Sequence, residues 1–153
     1  MIRIAIASDH AGFRLKEKLK LYLQKKRLAF WDLGTSSLER CDYPQFAAAL
    51  ARNISRGKFK RGILICKSGI GNSIVANRFP AVRAALCYNA RAARLSRQHN
   101  DSNVLVLGAA FVNERQAKRI LAVWLKTEFL GLRHKRRLGQ IKKIEKEIKS
   151  WKA

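Results

Sequence analysis

Five short apolar runs recur along the chain, at 2–7, 29–33, 62–66, 83–87 and 103–107. Each has strand length and is followed within two residues by a polar residue or a glycine. Between them the apolar spacing changes to threes and fours. Leu15, Leu19, Tyr22 and Leu23 fall on one helical face, as do Phe46, Ala47, Leu50 and Ile54, and Ala117, Ile120, Leu121, Trp124 and Leu125. Pro44 stands where a second helix opens, a position at which its missing N–H costs nothing. Alternating β and α segments of this length predict an α/β fold: a doubly wound, five-stranded parallel sheet with helices on both faces. No linker, repeat or low-complexity stretch divides the chain, so residues 1–153 read as one domain.

The last segment departs from that rhythm. Leu138, Ile141, Ile144, Ile148 and Trp151 recur on an otherwise charged stretch, predicting a basic amphipathic helix over about 134–151. Such a stripe needs cover, either from its own domain or from a second subunit.

Composition narrows the class. A hydrophobic share of 48% argues against a disordered chain. The opening run is a strand pattern rather than a signal peptide, and no apolar run approaches the roughly 20 residues of a membrane span. The three cysteines, Cys41, Cys66 and Cys87, lack CxxC spacing, and only three histidines accompany them, so a zinc site has little support. A reducing cytoplasm is the expected setting. The net charge of +23 raises nucleic-acid binding, since counterion release rewards any basic surface. The charge is spread, however. Lys16, Lys18, Lys20, Lys25, Lys26 and Arg27 fall on the first helix, Arg91, Arg94 and Arg97 lie far along, and a third group runs from Arg133 to Lys152. No nucleic-acid-binding signature accompanies them. The reading is a generally basic surface with, at most, non-specific nucleic-acid affinity.

Cys66 carries the strongest chemical signal. It ends the run Gly62-Ile63-Leu64-Ile65, a turn Lys67-Ser68-Gly69-Ile70-Gly71 follows, and a helix is expected from near Asn72-Ser73-Ile74. Backbone N–H groups at such a turn hold anions and are expected to lower a thiol's pKa. The alternative is an inert core cysteine. Gly69 and Gly71 do not make a dinucleotide fingerprint, because its third glycine would fall at Ile74. Asp9 either caps the first helix or takes part in chemistry with His10. A Ser8, Asp9 and His10 triad fails, because adjacent residues point apart. Arg133 and Arg137, four apart, share a helix face and are either a solvated patch or a phosphate clamp.

In this fold a ligand sits at the carboxyl ends of the strands. His99-Asn100-Asp101 precedes the fifth strand and belongs to the opposite end. For His99 and Cys66 to act together, a second subunit must unite them.

The combination of Ser8-Asp9-His10-Ala11-Gly12, Asp42-Tyr43-Pro44, Ile65-Cys66 with Ser68-Gly69-Ile70-Gly71, Ala93 to Arg97 followed by His99-Asn100-Asp101, and Arg133-His134 with Arg137 resembles the B-type ribose-5-phosphate isomerases, within the broader family that includes galactose-6-phosphate isomerases. It covers nearly the whole chain. The resemblance implies interconversion of an aldose and a ketose phosphate without metal or organic cofactor, by a homodimer with shared sites; whether dimers pair further into tetramers stays open. It implies Cys66 as the base moving a proton between C1 and C2, backbone amides from Lys67 to Gly71 around the enediolate, and a hydroxyl at Ser68 where relatives often have threonine. His99 would open the sugar ring. Asp9, His10, Tyr43 and Asn100 would bind sugar hydroxyls, and Arg133 and Arg137 the phosphate, with His10. Some relatives use a glutamate where Asn72 stands. Ribose 5-phosphate is favoured over galactose 6-phosphate or allose 6-phosphate; a non-catalytic nucleic-acid-binding relative is the reading of a different class.

Two positions depart from the family's pattern. Lys67 follows the cysteine where glycine is usual, and Ala110 stands where a basic residue is common. Lys67 is expected either to restore part of the missing positive charge and lower the Cys66 pKa, or to point to solvent with only its amide serving the anion hole; a glycine there in relatives would also signal a positive φ that lysine adopts only with strain.

Overall fold

The computed structural model describes residues 3–151. Strands β1 (Ile4–Ser8), β2 (Phe30–Asp32), β3 (Arg61–Cys66), β4 (Ala84–Leu86) and β5 (Val104–Gly108) alternate with helices α1 (Phe13–Lys25), α2 (Tyr43–Ser55), α3 (Ile70–Ala76), α4 (Ala90–Asn100), α5 (Glu114–Lys126) and α6 (Leu132–Ser150). The strands form one parallel sheet in the order β2-β1-β3-β5-β4. Each strand lies within a residue or two of its apolar run; Ile2, expected in the first, lies outside the described residues. The third helix begins at Ile70, two residues earlier than expected, because the chain turns straight from Gly69 into it.

Strand alternation divides the core between the two faces of the sheet. Ile4 and Ile6, Ile63 and Ile65, and Leu105 and Leu107 point to one face, under Leu15, Leu19 and Leu23 of α1 and Ile120, Leu121 and Trp124 of α5. Ala5, Ala7, Leu64, Val104 and Val106 point to the other, under Ala47, Leu50 and Ile54 of α2 and Ala76 of α3. Trp124 is wholly buried, and truncating such a side chain to alanine costs about 3–5 kcal/mol.

Two charges counted on the surface from sequence are inside. Lys16 is 1% exposed on the apolar face of α1, its Nζ 2.6 Å from Asp32 Oδ2 and donating to the Thr35 carbonyl at 2.6 Å. Arg97, 3% exposed, donates through Nη1 to Asp101 Oδ1 at 2.7 Å and to the Ser102 carbonyl at 2.6 Å. A buried cation survives when it is paired and hydrogen-bonded, and both are: each meets a carboxylate and at least one backbone carbonyl.

The C-terminal helix runs over Leu132–Ser150 and lies beside the β4 edge of the sheet. Glu145 Oε1 accepts the Ala81 N–H at 2.9 Å. A groove of about 460 Å³ separates helix from edge, lined on the helix side by Leu138, Ile141, Ile144 and Ile148. The apolar stripe is only half covered: Ile141, Ile144 and Ile148 remain about half exposed and Trp151 more so. No helix among the described residues is long and apolar enough to cross a membrane.

Candidate active site

The chain steps from β1 outward to β2, then returns past β1 to β3. The loops leaving β1 and β3 therefore part toward opposite faces, α1 covering one and α3 the other. The gap at their carboxyl ends is the crevice such sheets offer a ligand.

Cys66 ends β3 at that gap and is 5% exposed. Its Sγ accepts the Gly69 N–H at 3.1 Å. Gly69 makes this bond from φ +84°, left-handed backbone that favours glycine. Burial pushes the thiol's pKa up; the Gly69 amide pulls it down, the Asp9 carboxylate pushes it up, and the amides of Asn72 and Ser68 pull it down. The net direction is upward. The turn's donors do act as the sequence suggested, but depth outweighs them, so the expected lowering of this pKa is overturned. At neutral pH the resting group is the thiol.

The amides of the turn are not all open. Gly69 N–H faces the sulfur, and Ile70 N–H donates to Ser68 Oγ at 3.3 Å. Gly71 lies under Tyr43: a Cβ there would meet Tyr43 Cζ at 2.4 Å and its hydroxyl at 2.5 Å. Tyr43, the first residue of α2, thus reaches over the turn. Lys67 is exposed and is not among the positive-φ residues, so the strain considered for it is absent.

From the β1 loop, Asp9 Oδ1 accepts the Gly12 N–H at 2.9 Å, bracing the turn into α1 while its charge acts on Cys66. His10 Nδ1 lies 3.2 Å from the Cys41 amide nitrogen and 3.1 Å from the Cys41 carbonyl oxygen. One tautomer accepts from the first; the other donates to the second. Either way Nδ1 is engaged and Nε2 is left for a ligand. Cys41 was not expected here, and nothing local in the sequence marks it. Asn72 was not counted among the site residues either; it is 2% exposed, and its Oδ1 has no hydrogen-bond partner.

A second group of expected residues sits elsewhere. His99 and Asn100 close α4, at the end of the sheet where β5 begins. From Val104 to Gly108, which pairs with Cys66, the strand rises four residues, roughly 13 Å. The His99 ring stacks on that of His134, centroids 4.3 Å apart and planes 10° from parallel. His134 is 5% exposed, with exposed Arg133 and Arg137 either side of it on α6. Burial first, then the charges of His99, Arg133 and Arg137, holds its pKa below the ordinary value. Arg97 anchors this corner: beside its bonds to Asp101 and Ser102, its guanidinium lies over Trp124, whose Nε1 donates to Ser102 Oγ at 2.8 Å. The expected site residues thus fall into two groups within one chain. Asp9, His10, Tyr43 and residues 66–71 gather at one end; His99, Asn100, Arg133 and Arg137 gather at the other.

Comparison with known proteins gives a consistent answer. Residues 4–141 match the family model described as Ribose/Galactose Isomerase. The chain is 43% identical over 145 residues to ribose-5-phosphate isomerase B of Escherichia coli, covering 95% of this chain and 97% of that one. It superposes on the ribose-5-phosphate isomerase B of Clostridium thermocellum with a TM-score of 0.94 at 44% identity, covering 96% and 99% of the two chains. Against the Mycoplasma genitalium enzyme with bound ribulose-5-phosphate, the TM-score is 0.92 at 38% identity, covering 95% and 97%. With the fold and the crevice it presents, these matches make the chain an isomerase and a member of the Ribose/Galactose Isomerase family.

Proposed function

We propose that this isomerase interconverts ribose 5-phosphate and ribulose 5-phosphate through an enediolate, with Cys66 as the base. The observation that carries the reading is the Cys66 sulfur at the β1/β3 gap, facing the Gly69 amide at 3.1 Å with the amides of Asn72 and Ser68 also acting on it. The Mycoplasma genitalium relative, solved with ribulose-5-phosphate bound, supports the substrate class.

In this reading the resting thiol first gives up its proton, and the resulting thiolate removes the C2 proton of the open-chain aldose and returns it to C1 from the same sulfur. Charge that develops on the C1 and C2 oxygens meets backbone N–H groups of the 67–71 turn, with the Gly69 and Ile70 amides exchanging their present partners, the Cys66 sulfur and the Ser68 hydroxyl, for the developing oxyanion. Ser68 presents its hydroxyl beside them. Asp9, His10 and Tyr43 bind sugar hydroxyls from the same chain. His99, which opens the furanose ring, comes with Asn100, Arg133 and Arg137 from a second copy, so the working unit is a homodimer with shared sites. The separation of the two half-sites within one chain supports that arrangement.

The test is a coupled assay for ribulose 5-phosphate formed from ribose 5-phosphate, run beside allose 6-phosphate and galactose 6-phosphate. Cys66→Ala is expected to lower turnover about 10²–10⁴-fold, the usual worth of a general base. Near-normal turnover in that variant removes Cys66 from the mechanism, and preference for a hexose phosphate reassigns the substrate.

A further inference from the structure

The net charge of +23 is not needed by the isomerase site, and its largest concentration has an order of its own. On α6, Lys135, Lys142, Lys146 and Lys149 are spaced by seven, four and three residues. At about 100° per residue these four occupy an arc of about 60°, and at about 1.5 Å per residue they span roughly 21 Å. Arg136 and Lys143, seven apart, lie about 60–80° beyond the arc on its other side. All six are exposed, and among the described residues none makes an ion pair. The helix has two glutamates: Glu145 lies about 40° outside the arc, beside Lys149, with its Oε1 accepting the Ala81 amide, and Glu147 lies on the far flank.

This row is separate from the proposed substrate-binding cations. Arg133 and Arg137 lie roughly 120° or more around the helix from the lysines. The row adjoins the apolar stripe at Leu138, about 20° around the helix from Lys149, and Lys142 and Lys149 also border the gap between α6 and residues 77–83, so the open side of the row is the one turned away from the sheet. Lys142 and Lys146, four apart, and Lys146 and Lys149, three apart, are like-charge neighbours that weaken an isolated helix. An extended anion laid along the row removes that repulsion.

We propose that this face of α6 binds the phosphate backbone of duplex nucleic acid without reading its sequence. A duplex carries about one charge per 1.7 Å of axis, so a 21 Å row faces a continuous line of phosphates. The arc carries no aromatic side chain on which unpaired bases would stack, which favours a duplex over a single strand. It carries no asparagine or glutamine to read base edges, so the contact is to the backbone.

The experiment is fluorescence anisotropy with a labelled 20-base-pair DNA duplex and an RNA duplex of the same length, on the full chain, from 50 to 200 mM KCl. Four phosphate contacts give a log–log salt slope of about −3.6, or roughly a 150-fold loss of affinity over that range. The variant Lys135→Gln/Lys142→Gln/Lys146→Gln/Lys149→Gln is expected to flatten the slope by about 3 while keeping kcat/KM of the isomerase, which also shows that it folds. Lys146→Glu alone is expected to weaken binding in the same direction. A control, Lys25→Gln/Lys26→Gln/Lys58→Gln/Lys60→Gln, removes the same charge from other exposed positions. Equal flattening by the control, or no duplex binding by the unaltered chain at 50 mM KCl, overturns the proposal. The DNA and RNA arms show which duplex is held more tightly. Loss of isomerase activity in the unaltered chain would bear on the catalytic reading alone and leave the binding result standing.

Discussion

The Ala110 N–H donates to the Lys67 carbonyl at 2.9 Å, directly after Ala109 N–H donates to the Cys66 carbonyl at 2.8 Å. The β3–β5 pairing thus continues past the strand ends. It brings together Lys67 and Ala110, the two positions expected from the sequence to depart from the family's pattern. We propose that Lys67 supplies the positive charge that position 110 lacks. Lys67→Gly is therefore expected to raise KM for the sugar phosphate about tenfold or more, since a charge-assisted hydrogen bond is worth about 1.5–3 kcal/mol. Adding Ala110→Arg to that variant should bring KM back. If Lys67→Gly leaves KM unchanged, the lysine is a surface substitution and nothing more.

Asp9 offers a cleaner handle on the base. Its charge pushes the Cys66 thiol up, and its Oδ1 also braces Gly12. Asp9→Asn keeps an acceptor for the Gly12 amide and removes the charge. A general base works deprotonated, so kcat/KM rises as pH climbs through its pKa. With the charge gone the thiol ionises more readily, and the acidic limb of kcat/KM is expected to move to lower pH. A limb that stays in place while only KM changes would leave Asp9 as a sugar-binding or turn-bracing residue and deny it influence on the sulfur.

The strands were legible because each keeps one apolar run between polar punctuation, and the sheet buries both faces of the three central runs, β1, β3 and β5. Cys66 was legible for the same reason: it ends a strand and precedes glycines. What escaped was depth. Lys16 and Arg97 read as surface charges because a sequence shows a cation but not the Asp32 and Thr35, or Asp101 and Ser102, that pair with it. The pKa of Cys66 moved the opposite way for the same reason, since burial outweighs the turn's amides. Cys41 at His10 and His134 on His99 join positions more than thirty residues apart, and no local pattern announces such pairs.

Lys16 also stabilises the loop that presents Cys41 and Tyr43. Burial pushes the Asp32 carboxyl up, but Lys16, Lys20 and the Gly34 amide outweigh it and hold its pKa below the ordinary value. Such a group adds stability above its unfolded pKa of about 4, and that stability is lost as pH falls through the lowered folded value. Lys16→Met removes two charge-assisted bonds, each worth about 1.5–3 kcal/mol. Urea midpoints should drop at pH 7, with a shallower fall below pH 4 than in the unaltered chain, because less of the Asp32 contribution remains to lose. Matching acid curves in the two proteins would mean that Lys20 alone sustains Asp32.

The proposed sharing of sites is open to complementation. Cys66→Ala disables one half-site and His99→Ala the other, at opposite ends of each chain. Heterodimers formed by subunit exchange would carry one intact site each. Mixing the two inactive variants is expected to restore up to about half the activity per heterodimer, as sites that work independently would give. Exchange confirmed by mass without any recovery would place both residues' action within a single chain.

His134 supplies a last, pH-dependent expectation. Its ring is buried against His99 with Arg133 and Arg137 nearby, and burial first, then those charges, disfavours its protonated form. The folded pKa is thus below the unfolded value of about 6.5. Between those values the unfolded chain binds the extra proton, so stability falls as pH is lowered through about 6.5 and levels off below the folded pKa. His134→Phe keeps an aromatic ring against His99 but cannot be protonated. The drop in melting temperature from pH 7.5 to pH 5.5 should be smaller in His134→Phe than in the unaltered chain. Because the stack fixes the ring of His99, isomerisation should also survive better in His134→Phe than in His134→Ala. Identical pH slopes in the two proteins would show that His134 carries no proton-linked stability, and equal activity of the two variants would free His99 from any dependence on the stack.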